Sequence, residues 1–461
     1  MCKKRKLDND MIKIYNSLTN KIEEFIPLRK NEVSMYVCGS TVYNYIHIGN
    51  SRPVIFFDTV ARFFKYMGYK VTYVSNFTDI DDKIINKAKE ENVSEAEISE
   101  RYIKAIKETY RKLNCLPHDA NPKVTENIEG IIQFIDLLIK KDGAYVIDGD
   151  VYFDVSKIAD YGQLSGQTIE NLMSGARIDP NEKKKNPIDF TLWKKTEEGK
   201  QWDSPWGLGR PGWHTECVVM IDSLFKGPID IHGGGLELKF PHHDNEIAQS
   251  ICAHNHKIAN YWMHNGRIDM SGEKMSKSLG NVIWADELLS RTSYQVYRLL
   301  ILNVPYRQPL DYKEELLVQA TTDFEKIQRT YVSLFRKIDL EYEEMAPTNG
   351  LVNSELLSLQ SAFIEAMSDD FNTANAITAI FAATKHVNLL IRHGKTEGDV
   401  LKQALKMLDG MLWVLGINIE LDRLTTEEKE LIFQWQEARK NKDFTLADTL
   451  REKITNKGIQ L

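Results

Sequence analysis

MYVCGSTVYNYIHIGNSRPVIFFDTVARFFKYMGYKVTYV, residues 35 to 74, decides how this chain folds. Met35 to Cys38 is an apolar run of strand character. Pro53 is expected to open an amphipathic helix carrying Phe56, Val60, Phe63, Phe64 and Met67, and Gly68 to close it. Val71 to Val74 then makes a second strand. A strand–helix–strand unit of this size pairs its strands in parallel and begins a doubly wound α/β sheet. Ligands of such sheets gather where strand ends meet helix N-termini, which is where His47, Ile48, Gly49 and Asn50 fall.

Working outward, residues 1–10 read as a disordered extension with no apolar segment behind Lys3, Lys4, Arg5 and Lys6, and so not as a secretory signal. The α/β unit takes in 11–113 and resumes over 197–310. Residues 114–196, with a helix near Ile128 to Ile139 and a strand pair near Tyr145 to Val155, read as an inserted subdomain. Past Tyr294 the chain is helical. Phe324, Ile327, Tyr331, Leu334 and Ile338 share one face, as do Ile377, Ile380, Val387 and Ile391, and Leu401, Leu405, Leu408, Leu412 and Leu415. These stripes predict a helical bundle over 311–420. A small unit, 421–461, follows a polar break. The fold class is thus a Rossmann-type α/β domain with an insertion, a bundle and a small C-terminal domain.

The bulk properties agree with a globular protein: 461 residues, 42% hydrophobic and 27% charged. No run of about 18 apolar residues argues for a membrane span. Five cysteines point to a reducing, cytoplasmic setting rather than a disulfide scaffold. The net charge of −7 does not by itself speak for nucleic acid, whose phosphates are met by local basic patches.

Three groups of residues bear chemistry. Glu273 to Asn281, EKMSKSLGN, sets Lys274 and Lys277 on a short Ser/Gly segment suited to polyphosphate, or simply to a solvated turn. Gly233, Gly234 and Gly235 follow a strand-like stretch and permit a close backbone approach, or a turn. Cys38, Cys217, His242 and Glu246 offer two thiols, an imidazole and a carboxylate. Pro241 is expected to start a helix that puts His242 and Glu246 on one face. Such donors suit zinc, but buried free cysteines are also ordinary core residues, and four protein ligands can form a closed structural site.

The order HIGN then KMSKS resembles the nucleotide-binding signature of class I aminoacyl-tRNA synthetases. YVCGSTVYNYIHIGNSRP (36–53), NFTDIDDKI (76–84), SPWGLGRPGWHTEC (204–217) and DIHGGGLELKFPHHDNEIAQS (230–250) resemble the cysteinyl-tRNA synthetase family in particular. The resemblance implies a Zn2+ ion held by Cys38, Cys217, His242 and Glu246, selecting L-cysteine by its thiolate. It implies ATP bound with Mg2+ by His47, Gly49, Asn50, Gly233, Gly234, Glu237, Lys274 and Lys277, with His47, Asn50, Lys274 and Lys277 serving the transition state. Thr78, Trp213 and His214 would line the amino-acid pocket. Asn50 stands where many class I enzymes have histidine, and Glu237 where this family usually has aspartate. The C-terminal unit, with Arg439, Lys440, Lys442 and Phe444, would read the anticodon of tRNA(Cys), and the enzyme would be a monomer. The rival is a synthetase-like ligase joining cysteine to a small amine such as an amino sugar.

Overall fold

Lys13–Asn16 (β1) and Lys21–Glu24 (β2) form an antiparallel hairpin. The computed structural model describes residues 11–175, 183–270, 272–275, 280–393 and 396–459, leaving aside the side chains of 174, 175 and 274. The expected extension over 1–10 lies outside these. Glu32–Val37 (β3), Ile48–Tyr66 (α1) and Lys70–Ser75 (β4) make the parallel unit, with Met35 opposite Tyr73. Val33, Met35, Tyr36 and Val37 are all buried, as befits a strand covered on both faces.

Helix α1 opens five residues before the expected start, and Pro53 lies within it. The reason is the cap. His47 is the N-cap: its Nδ1 accepts the Gly49 N–H at 3.1 Å, and Asn50 Oδ1 accepts the His47 N–H at 3.2 Å. This reciprocal box satisfies two donors that would otherwise lack partners, which offsets the one helical bond that Pro53 cannot donate. Asn50 and Ser51 are therefore inside the helix rather than at its cap.

Asp82–Glu91 (α2), Glu95–Lys112 (α3) and Ile128–Lys140 (α4) follow. An antiparallel sheet then forms from Ala144–Ile147 (β5), Asp150–Phe153 (β6), Phe190–Lys195 (β7) and Gly209–Pro211 (β8), with Ile169–Gly175 (α5) between β6 and β7. The inserted sheet thus takes its last strand from beyond residue 196. Glu216–Phe225 (α6), Ile229–Gly235 (β9), Asp244–His254 (α7) and Ala259–Asn265 (β10) return to the core.

The main sheet runs β10-β9-β3-β4, all parallel. From β3 the chain steps outward to β4; from β9, beside β3, it steps outward the other way to β10. The strand order therefore reverses between β3 and β9, and a crevice opens beyond their C-terminal ends. Cys38 and Gly233 to Gly235 lie there.

Ile268–Met270 (β11), Glu273–Lys274 (β12) and Leu310–Tyr312 (β13) form a small second sheet, next to Ala285–Arg291 (α8) and Tyr294–Leu302 (α9). The bundle comprises Glu314–Glu341 (α10), Ser354–Ser368 (α11), Thr373–Arg392 (α12) and Gly398–Val414 (α13). Helix α12 is long and apolar enough to cross a membrane, but Ala376, Ile377, Ile380, Ala383 and Val387 are buried in the bundle core. Thr426–Lys440 (α14) and Phe444–Asn456 (α15) close the chain as a helical hairpin.

Candidate metal centre and nucleotide-binding crevice

Three segments converge past the end of β3. The Cys38 N–H donates to the Gly233 carbonyl at 3.0 Å, tying the end of β3 to β9. Gly39 admits no side chain, because a Cβ there would lie 1.7 Å from the Asn76 carbonyl oxygen. Its N–H donates to Asn76 Oδ1 at 2.9 Å, so the strand ends of β3 and β4 are locked together. Cys217 enters from the first turn of α6 and is buried.

His242 and Glu246 stand one turn apart, as expected. Phe240 is extended and kinks the stretch Lys239–His243; after it the backbone is helical and leads directly into α7 at Asp244. The pair meets, His242 Nε2 lying 2.8 Å from Glu246 Oε1.

The four expected ligands bring one donor atom each to within 4.8 Å of one another. Cys38 Sγ is 3.7 Å from Cys217 Sγ and 3.7 Å from Glu246 Oε1, and Cys217 Sγ is 3.6 Å from His242 Nε2. Two sulfurs on a tetrahedral zinc, at about 2.3 Å each, stand about 3.8 Å apart. The sulfur edges fit that figure, while the imidazole–carboxylate edge closes into a hydrogen bond. The donor set, soft sulfur with one nitrogen and one oxygen, suits zinc. A second grouping, Cys38, His232, His243 and Glu246, is equally close but has only one thiol.

The surroundings organise these donors. Burial pushes the Cys38 thiol well above its ordinary pKa. Burial acts likewise on Cys217, but its hydrogen bond with Cys38 and the His242 imidazole outweigh it and bring that thiol down to about 6. Burial also opposes ionisation of Glu246, yet His232 and His242 hold it well below the usual carboxylate range. His232 Nε2 lies 2.5 Å from Glu246 Oε2, and the His232 ring stacks on buried Trp262.

Several residues of the site were not singled out by the sequence. His243 Nε2 is 3.3 Å from Cys38 Sγ; its Nδ1 is 2.8 Å from His264 Nε2, and His264 reaches Ser17 Oγ at 2.9 Å. Adjacent histidines in FPHHDNE were the available signal for His243; nothing local marks His264. Glu216 is fully buried beside Cys217 and accepts the Thr78 hydroxyl at 2.5 Å and the Asn76 amide at 3.3 Å.

The expected pocket residues gather on this side. Thr78 is held by Glu216, His214 Nδ1 lies 3.1 Å from His242 Nδ1, and the Trp213 indole, 43% exposed, stacks on His242 at 4.7 Å. The glycines have a packing role as well: a Cβ on Gly233 would stand 2.3 Å from the Phe57 ring. Glu237 is exposed in the short turn after β9. Asp230 faces away, accepting from Leu28 N–H and from the Ser34 N–H and hydroxyl.

The lysine segment is anchored beside His47 by its flanks. Ile48 N–H donates to the Ile283 carbonyl at 2.9 Å and Ala285 N–H to the Ile46 carbonyl at 3.0 Å. On the other flank, buried Arg52 of α1 donates to the carbonyls of Gly266 and Arg267, just ahead of β11, and of Pro305. Lys277 lies outside the described residues, as does the side chain of Lys274.

Comparison with known proteins is consistent across the chain. The family model for the class I (C) tRNA synthetase catalytic domain matches residues 24–322, and that for the DALR domain matches 362–420. The cysteine–tRNA ligase of Anoxybacillus flavithermus is 47% identical over 457 residues, covering 98% of this chain and 97% of its own length. That of Geobacillus thermodenitrificans is 47% identical over 452 residues with the same coverage. Among solved structures, Mycobacterium tuberculosis methionyl-tRNA synthetase bound by methionyl-adenylate shares the fold, with a TM-score of 0.62 at 14% identity over 90% of this chain and 96% of that one.

Proposed function

The chain belongs to the cysteine–tRNA ligase family of class I tRNA synthetases, and from that premise we propose how its residues divide the work. The reaction is aminoacylation. The carboxylate of cysteine attacks the α-phosphorus of ATP, pyrophosphate leaves, and a ribose hydroxyl of the terminal adenosine of tRNA(Cys) takes the cysteinyl group from AMP.

Cys38, Cys217, His242 and Glu246 would hold a zinc ion, which supplies a soft centre for the substrate thiolate and little attraction for a serine hydroxyl. Cysteine and serine differ by one atom, a difference that a shape-based pocket separates poorly. Trp213, His214 and Thr78 border the same centre and would orient the amino acid. Burial of the cluster keeps water from competing for it.

His47 stands at the N-terminus of α1, where a helix favours anions. It would contact the triphosphate, with Gly49 and Asn50 beside it. Gly233, Gly234 and Glu237 would border the adenosine. Lys274 and Lys277 would offset charge on the departing pyrophosphate, and Mg2+ would accompany the nucleotide. The DALR region and the C-terminal hairpin would meet the tRNA, whose anticodon the hairpin would read.

The observation that carries this reading is the convergence of two thiols, an imidazole and a carboxylate within 4.8 Å, where the strand order reverses. Zinc content and ATP–pyrophosphate exchange with cysteine and with serine test it. Wild-type protein is expected to hold one zinc per chain and to exchange with cysteine alone, and Cys217→Ser to lose both metal and preference. Full zinc retention in Cys217→Ser would remove that residue from the ligand set. The DALR region and the terminal helical hairpin speak against the amino-sugar ligase, whose small acceptor has no use for them.

A further inference from the structure

The C-terminal hairpin hangs from the bundle by a narrow attachment. Its apolar part is small: Leu340 packs on Leu424, Ile432 and Ile454. Beside it a cavity of about 510 Å³ separates Phe324 and Gln328 of α10 from Lys457 and Ile459.

The polar part converges on one carboxylate. Asp339, in the last turn of α10, is fully buried. Its Oδ1 accepts from Arg423 Nε at 2.8 Å and lies 3.2 Å from Lys429 Nζ, while its Oδ2 accepts the Leu424 N–H at 2.8 Å. Lys429 also donates to the Asp339 carbonyl. Arg423 spans to the Glu343 carbonyl at 2.8 Å, and Arg336 to the Asp422 carbonyl at 2.6 Å.

The donors to this one side chain come from the linker (Arg423, Leu424) and from the first turn of α14 (Lys429). A carboxylate with two oxygens meets all of them only when linker and helix stand at one angle to α10. The bonds of Arg423 and Lys429 to this buried carboxylate are charge-assisted, the strong kind, and turning the hairpin away would break them. Burial would raise the Asp339 pKa, but these donors hold it below the ordinary value.

We propose that Asp339 is a positioning residue: it fixes the angle of the C-terminal hairpin on the bundle, and with it the span from the hairpin to the metal-bearing crevice. This rests on the reading of the hairpin as the unit that meets the tRNA anticodon. A hairpin free to swing would still bind RNA, but seldom while the acceptor end lies in the crevice.

Two steady-state measurements test it on the full-length protein: cysteine-dependent ATP–pyrophosphate exchange, and charging of a tRNA(Cys) transcript. Asp339→Asn keeps shape and removes charge. Arg423→Gln, at a side chain 47% exposed, keeps the test available should the buried variant fold poorly. Both are expected to raise the KM for tRNA at least about fivefold while exchange stays within about twofold of wild type. Phe444→Ala and Arg439→Ala, on the hairpin itself, probe the underlying reading. If they raise the tRNA KM and the Asp339 and Arg423 variants do not, the positioning role is overturned and the reading stands. Should none of the four raise it, both fall. A parallel loss of exchange and charging in Asp339→Asn and Arg423→Gln would make Asp339 merely structural and overturn the proposal as well.

Discussion

His47 is proposed to serve two ends through one ring, capping α1 and contacting the triphosphate. Its Nδ1 accepts the Gly49 N–H, which puts the proton of a neutral imidazole on Nε2. Asparagine caps helices well, so His47→Asn is expected to retain stability within about 1 kcal/mol while ATP–pyrophosphate exchange falls by about 100-fold; equal loss of both would mean that the imidazole only caps. His118 makes a second prediction. It is inset against Tyr73 and bonded to Asn121, and burial lowers its pKa from the ordinary 6.5 to about 4. The unfolded chain binds this proton first, so stability erodes as pH falls below about 6.5 and stops eroding near 4. The total is up to about 3 kcal/mol. His118→Gln should flatten urea midpoints across that window. At this scale the sequence named the residue types that suit a metal, and the structure draws Cys38, Cys217, His242 and Glu246 together. It was silent on Glu216 and His264, because a buried polar partner carries no local signature: what it faces is decided by segments far away in the chain.

Helix α1 is legible in the sequence in kind but not in extent. Apolar spacing marks the helix, and Pro53 suggests its beginning because proline suits a first turn; the His47–Asn50 box, which has no Ser, Thr or Asp at its head, fixes the start at Ile48. By contrast, the i, i+4 spacing of His242 and Glu246 brings the pair to 2.8 Å, the kink lying before them at Phe240. Arg52 binds α1 to the strands that carry the lysine segment. Burial lowers its pKa to about 10, and its guanidinium serves the carbonyls of Gly266, Arg267 and Pro305. Arg52→Met keeps the bulk and orphans those carbonyls. It is expected to cost about 2–4 kcal/mol in denaturant unfolding and to raise the KM for ATP; an unchanged KM would show that the lysine segment is placed without it.

Across the whole molecule, the α/β core and the bundle are joined by a buried ionic knot. Arg298 of α9, with no exposure, donates to Asp58 of α1 at 2.7 Å and to the carbonyls of Leu415 at 2.6 Å and Leu113 at 3.1 Å. Arg62 bonds the same carboxylate at 2.8 Å and reaches the carbonyls of Asn114 and Trp413. Removing Arg298 leaves Asp58 paired with Arg62 but deprives the buried carbonyls of Leu415 and Leu113 of their donor, so Arg298→Met is expected to lose about 2–4 kcal/mol, seen as a lower urea midpoint; a loss under 1 kcal/mol would mean that the junction rests on apolar packing. The layered architecture was legible because its periodicities are local, whereas this junction links residues hundreds of positions apart. The same long-range wiring bears on synthesis. Strand β3 meets β4 at once but must wait for β9, which begins at Ile229, well after β4 ends at Ser75. At roughly 10 residues per second on the ribosome, the nascent chain carries an unsealed sheet margin for on the order of 15 s, an interval in which a chaperone, or a neighbouring nascent chain, has the first opportunity to pair with it.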